Sequence, residues 1–396
     1  MREIIGGADE TFLQRMLLVF QDLSTGYLRL EDVADDRTYT TWKAGVDERL
    51  KALGTEVLYG VSERASALIQ LAEQGFACLS MPDFFHLMPD IVQSSSLALA
   101  RQVRQAHKAL THAEEVLARH PGLPQSDPNG SEVNAPVVVC RAEMQRWEEA
   151  QRTYRQHLET LSLTFHPFDI SPSLPQTSAQ VESRFYAGVD AIEACAGHHQ
   201  LSARPGAMNK VRKQLPALAA LIDFWWQGVC QDLEPFVLSH IWRKWVQESL
   251  LPLGYWEPQA AHTRCARRKA KIVQALEAVR TEFATHAIPQ RLVPQILADW
   301  KAWATDRVNA FQRASSAVEG RNGSLSHMQH NHRGLPRRRY KVWTVLHNFD
   351  CRAADGTTPA TRFFRRTFPD LFETVLSHLE VLPRSRQRKH DGVLSG

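Results

Sequence analysis

Asp9 in "GGADETF", Glu63 in "VLYGVSERA" and Glu319 in "SSAVEGRNG" are carboxylates carried by three separate segments of the chain. Two-metal phosphoryl chemistry uses such a set, holding two divalent ions about 4 Å apart to activate a nucleophile and steady a leaving oxygen. Asp83 and His86, in "MPDFFH", add an acid and an imidazole three residues apart. Helical spacing puts Asn322, with Ser315 and Ser316, on the same face as Glu319. From Glu319 to Asp350 no other acid occurs, whereas Arg321, Arg333, Arg337, Arg338, Arg339 and Lys341 crowd the interval. Each cation that contacts a phosphate adds affinity and salt sensitivity, so these six are expected to face a polyanion, DNA being one. His327, His330 and His332 lack the i, i+4 pair of a helical zinc site.

Taken singly, none of the acids compels this reading. Asp9 is a polar strand end beside Gly6 and Gly7, which permit close approach. Glu63 also suits a helix N-terminus capped by Ser62. Glu319 is an unremarkable helix carboxylate, placed near the end of a helix running through "DRVNAFQRASSAVEGRNGSL". Their order in the chain carries the case.

The first ninety residues must position most of the acids. Short apolar segments, "IIGGADETF", "RMLLVFQD", "GYLRLEDVA", "EVLYGVSE" and "FACLSMPD", read as strands separated by turns. "TTWKAGVDERLKALG" carries Trp42, Val46, Leu50 and Leu53 at helical spacing and stops at Gly54. "RASALIQLAEQG" repeats the pattern with Ala65, Leu68 and Leu71. Three strands, a helix, a strand, a helix and a strand predict a mixed sheet, antiparallel first and parallel afterwards. From about 92 to 313 the chain reads as helical, with helices near 177–199, 208–250, 262–286 and 289–326. Eight of the ten tryptophans fall there, as bundle packing or as platforms for unpaired bases. Thr361-Arg362 opens a short last helix, and "RSRQRKHDGVLSG" reads as a disordered basic tail.

Composition sets the bounds. The 396 residues are 43% hydrophobic and 23% charged, with a net charge of +4, an ordinary core-forming balance that does not by itself announce nucleic acid. The cysteines, at 78, 140, 195, 230, 265 and 351, lie far apart with no paired-ligand spacing, which favours a reduced chain without structural zinc. No run of about 18 apolar residues occurs, and the first residues lack a charged-then-apolar pattern, so neither a membrane span nor export is expected.

A strand-borne Asp, an acid after the fourth strand, a DxxH after the fifth, a long helical stretch and a helix-borne Glu together resemble the RNase H-like core of DDE transposases and integrases. "DFFH" resembles the C/DxxH motif of transposases related to hAT and Mutator elements, which carry an all-helical insertion. More closely, "SERASALIQLAEQGFACLSMPDFFH" and "RGLPRRRYKVWTVLHNFDCRAADGTTPATRFFRR" are similar to a family of bacterial insertion-sequence transposases. The likeness covers roughly 1–95 and 300–375.

This resemblance implies an α/β fold: an RNase H-like mixed five-stranded sheet with flanking helices, interrupted by a large all-α insertion. The expected division is 1–95 and 301–380 for the catalytic core, 96–300 for the helical insertion and 381–396 for the tail. It implies Asp9, Glu63 and Glu319 as the catalytic and metal-binding acids for two Mg²⁺ or Mn²⁺ ions, with Asp83, His86 and Asn322 in support. It implies phosphodiester cleavage at the ends of a mobile element and strand transfer to target DNA. A homodimer or higher assembly on DNA is expected, in the bacterial cytoplasm and at the nucleoid when DNA-bound, with no membrane role.

Two departures stand out. The family's acid after strand four is Asp, and here it is Glu63, whose additional methylene moves the carboxylate by about 1.5 Å. A misplacement of about 1 Å can lower a rate on the order of 100-fold. The first strand also begins almost at Met1, so a truncated copy, or end recognition by a partner, is expected. The alternative is a weakened or co-opted derivative that binds DNA without cutting it.

Overall fold

The computed structural model describes residues 2–119, 135–201, 205–331 and 337–379. The chain divides into two compact units, one formed by Met1–Val57 with Ala317–Gly396 and the other by Leu58–Ser316. The division falls inside a strand and just past the start of a helix, rather than near 95 and 300.

Five strands form one mixed sheet: β1 (Arg2–Phe12), β2 (Met16–Asp22), β3 (Leu28–Ala34), β4 (Thr55–Ser62) and β5 (Leu79–Pro82), in the order β3-β2-β1-β4-β5. β1, β2 and β3 make an antiparallel meander, with Asp9 opposite Val19 and Glu10 opposite Leu18. β4 and β5 are parallel, Tyr59 facing Leu79. Ile4 to Ala8 of β1 and Leu17 to Asp22 of β2 are buried without alternation, as expected of strands covered on both faces.

Helix α1 (Tyr39–Ala52) lies between β3 and β4. Thr38 caps it by accepting from the Thr41 N–H, and Trp42, Val46 and Leu50 are buried. It is followed by Gly54 at φ +57°, a conformation that suits glycine. α2 (Ser66–Gln70) continues into a π-helical turn, Leu71–Gly75, before β5.

The second unit is mainly helical: α3 (Phe84–Ala118), α4 (Ala135–Thr164), α5 (Ser178–His198), α6 (Pro205–Leu233), α7 (His240–Trp245), α8 (Leu251–His262), α9 (Ala266–Thr285), α10 (Ala287–Arg291) and α11 (Pro294–Asn309). Its tryptophans pack on other rings: Trp225 lies edge-on to Phe168, and Trp245 contacts Trp242 and Trp300. Trp245 and Trp256 are fully buried, and Trp225 donates its indole N–H to the Arg307 carbonyl at 2.8 Å. Bundle packing thus accounts for these rings.

In the first unit α12 (Ser316–Asn331), α13 (Arg337–Phe349), α14 (Pro359–Phe364) and α15 (Leu371–Ser377) follow. β3 is an edge strand, and α13 covers it. The Asn348 carboxamide accepts from the Leu28 N–H at 2.9 Å and donates to the Leu28 carbonyl at 3.0 Å. A side chain thereby satisfies a strand edge that would otherwise recruit a neighbour.

Two expected helices are broken. The segment 208–250 stops at Leu233, because Pro235 offers no N–H and Val237 turns left-handed at φ 46°. Ser239 then caps α7. The segment 289–326 splits at Ala310–Ser315, so Glu319 stands in the first turn of α12 and not near the C-terminal end of one continuous helix. Side chains hold that interruption. The Tyr59 hydroxyl donates to the Ala310 carbonyl at 2.9 Å and accepts from the Gln312 N–H at 2.9 Å. The Phe84 N–H donates to the Arg313 carbonyl at 3.0 Å, and the Arg313 guanidinium donates to the Phe165 carbonyl. The short last helix expected at Thr361 begins at Pro359, capped by Thr358, and α15 follows it.

Candidate functional site

In the first unit β1 and α12 bring together Asp9, Glu319 and Asn322. Gly7 makes this approach possible: a Cβ there would stand 2.4 Å from Leu23 Cδ2 and 2.9 Å from Val318 Cγ2. Val318, fully buried, is the neighbour of Glu319. The Asn322 carboxamide donates Nδ2–H to Asp9 Oδ2 at 2.7 Å. Asp9 and Glu319 also share a hydrogen bond between their side chains.

Two carboxylates in contact cannot both be ionised at little cost, so one keeps a proton. Burial, first, and then the hydrogen bond and charge of Glu319, with a further contribution from Glu10, push the Asp9 carboxyl up to about 8. A divalent cation would relieve the same repulsion without the proton. Asn322 is 7% exposed, and its Oδ1, one carboxamide away from Asp9, has no hydrogen-bond partner among the described residues. An acceptor buried in that way is normally matched. Two carboxylates and a spare amide oxygen are hard oxygen donors of the kind Mg²⁺ and Mn²⁺ take. The residues present therefore fit part of a divalent-cation shell. Among the described residues no three His, Cys, Asp or Glu side chains gather as metal ligands.

Next to this pair, Arg321 makes a bidentate ion pair with Glu31 of β3, Nε to Oε2 at 2.6 Å and Nη2 to Oε1 at 2.8 Å. Side-chain exposures of 6% and 0% bury both charges. Thr344 of α13 donates to Glu31 Oε1 at 3.2 Å. Arg321, expected to bind DNA, instead fastens α12 to the sheet, since a buried guanidinium committed to a carboxylate is not offered to a phosphate. Its sequence context gave no warning, because the partner lies on a strand far away in the chain.

Glu63 belongs to the second unit, exposed in the bend that follows β4. Asp83, also in that unit, is buried after β5. It accepts from the Ser315 hydroxyl, and His86 Nε2 lies 3.6 Å from its Oδ2. The Asp83 N–H donates to the Ser62 carbonyl at 2.9 Å. Asp83 thus ties the end of β4 and the start of α3 to the residue just before α12. Ser315 was noted in the sequence only as a small neighbour of Glu319; its bond to Asp83 had no sequence signal.

Of the expected cations, Lys341 is exposed on α13. Arg337, Arg338 and Arg339 form the first turn of that helix. Their side chains, and Arg333 entirely, lie outside the described residues, as do residues 380–396 with the basic tail.

A family model described as "Family of unknown function (DUF6399)" matches residues 246–391. This stretch includes Glu319, Arg321 and Asn322 but not Asp9. No curated protein matches the chain. No described helix is long and apolar enough to cross a membrane.

Proposed function

We propose that this chain is the catalytic core of a DDE-type DNA transposase with an RNase H-like fold, cleaving a phosphodiester at an element end and joining the freed 3′-OH to target DNA. The mixed five-stranded sheet followed by a long helical stretch is compatible with that architecture. The observation that carries the reading is the Asp9–Glu319 carboxyl pair, with the unmatched amide oxygen of Asn322 beside it.

Asp9, Glu319 and Asn322 Oδ1 would hold Mg²⁺ or Mn²⁺, which, when bound, polarises the phosphate and lowers the pKa of an attacking water. Asn322 orients the Asp9 carboxylate through its N–H. Arg321 and Glu31 keep α12 at the sheet, so that Glu319 stays against Asp9. Lys341, with Arg333, Arg337, Arg338 and Arg339, would receive the DNA backbone. Glu63 is assigned as the remaining acid from its place in the chain order alone. A second ion, assembly on DNA and a bacterial cytoplasmic location belong to the same proposal.

The test is cleavage and strand transfer on DNA carrying the element ends, with Mg²⁺ or Mn²⁺. Asp9→Asn and Glu319→Gln should each abolish product, and Glu63→Asp should raise it. Undiminished activity in Glu319→Gln removes this site from the reaction. Salt-sensitive, metal-independent DNA binding with no nicking would establish instead the derivative that binds without cutting, the reading that the Glu at position 63 favours.

A further inference from the structure

The second unit contains a cleft of about 1280 Å³ that none of the chemistry above uses. Small-molecule sites commonly occupy about 300–1,000 Å³, so this cleft has room for more than a single small ring. Phe84, Tyr255 and Phe311, all buried, lie in its wall and give it an apolar floor.

Arg155, Arg267, Arg268 and Arg313 also line the cleft. None of the four has a carboxylate within 4.0 Å among the described residues, whereas the lining acid Glu159 is engaged by Lys271 at 3.3 Å. Arg313 donates to the Phe165 carbonyl, with its guanidinium 5.0 Å from the centre of the Phe84 ring and 6.0 Å from that of Phe165. Arg267 and Arg268 occupy the first turn of α9, a 20-residue helix with no acid in that turn and no side-chain cap. Cations there oppose the helix dipole, and the first N–H groups lack helical acceptors, that of Arg268 facing only the Cys265 sulfur. An anion would correct both defects at once. Cys265, the residue before α9, also lines the cleft, and the Arg268 N–H and guanidinium hold its thiol below the usual range.

We propose that this cleft binds a nucleotide, its phosphate held by Arg267, Arg268 and the first turn of α9 and its base lying toward the aromatic floor beside Arg313. A bare phosphate would leave the apolar wall unused, and an apolar ligand would leave the arginines unmatched. The phosphate-and-base chemistry is common to a free nucleotide and to the terminal nucleotide of a DNA strand. Nothing in the assignment rests on Asp9 or Glu319.

The experiment uses the full chain, titrated calorimetrically with dAMP, with a 5′-phosphorylated trinucleotide and with inorganic pyrophosphate. In parallel, alkylation of Cys265 by iodoacetamide is followed by mass spectrometry of its peptide. At least one of the two nucleotide ligands should bind and slow alkylation of Cys265 several-fold. Arg268→Glu should weaken that binding at least tenfold, while Lys213→Glu, an equal change of charge on an exposed residue outside the cleft, leaves it unchanged. Binding of dAMP identifies a free nucleotide, and binding of the trinucleotide alone identifies a strand end; both support the proposal. Binding of pyrophosphate alone, of no ligand, or equal affinity in the two variants overturns it. Circular dichroism of both variants, matched to the parent, confirms that each is folded.

Discussion

Arg321 and Glu31 face each other through two parallel hydrogen bonds, at 2.6 and 2.8 Å, in a place nearly closed to solvent. The guanidinium belongs to α12, which also carries Glu319, and the carboxylate to β3. Removing one member leaves the other charged and buried, which typically costs about 3–5 kcal/mol. Arg321→Met and Glu31→Gln should therefore each lower unfolding free energy by roughly that amount in urea. The double variant should recover part of the loss, because neither charge is then stranded. A loss below about 1 kcal/mol in both single variants would place the pair in solvent.

The carboxyl pair makes stability depend on pH. The Asp9 carboxyl titrates near 3.8 in an ordinary setting and near 8 in the folded chain. Below the lower value both folded and unfolded chains hold the proton. Between the two, only the folded chain keeps it, so stability falls as pH rises and the fall is complete above about 8. Unfolding measured without divalent ions from about pH 5 to about pH 8 should show this decline in the Asp9 contribution. The Asp9→Asn variant should lack it, and Glu319→Gln should show a smaller one. Mn²⁺ should stabilise the parent chain more at the alkaline end, where no proton has to be displaced.

Asn322 should matter to cation binding out of proportion to its own donor atom, because it both orients Asp9 and presents a spare oxygen. Loss of an orienting contact commonly weakens metal affinity about 10–100-fold. Asn322→Ala is expected to do so for Mn²⁺, measured by titration calorimetry or by the electron resonance of free Mn²⁺. An unaltered affinity would take Asn322 out of the shell.

At Gly7 β1 leaves no room for a side chain between Leu23 and Val318 of α12. A valine there must displace Leu23 or Val318, and overpacking of this kind costs about 1–3 kcal/mol. Gly7→Val should lower the melting temperature and, by moving the turn that bears Glu319, should also reduce the rise in the Asp9 pKa. The carboxyl resonance of Asp9, followed by NMR against pH, reads that second effect.

The strands and first helices were legible because each is a local pattern: apolar runs broken by turns, then Trp42, Val46 and Leu50 at one helical face. The approach of α12 to β1 was foreshadowed by Gly6 and Gly7. What escaped was everything decided by a distant partner. The break before α12 contains no proline or glycine; Tyr59, Phe84 and Phe165 hold it open from elsewhere in the second unit. Arg321 looked like its basic neighbours because nothing adjacent in the chain announces Glu31. The break near 237 was readable, since Pro235 stands in plain view.

Because the first unit is made from two segments on either side of Leu58–Ser316, its completion is set by the order of synthesis. The meander β1–β3 leaves the ribosome early, with its apolar faces and the β3 edge awaiting α12 and α13. The whole second unit is translated meanwhile, and folding proceeds as segments emerge. Asp9 therefore meets Glu319 only late in the life of the nascent chain. A messenger cut short before α12 would yield a protein that never acquires the carboxyl pair.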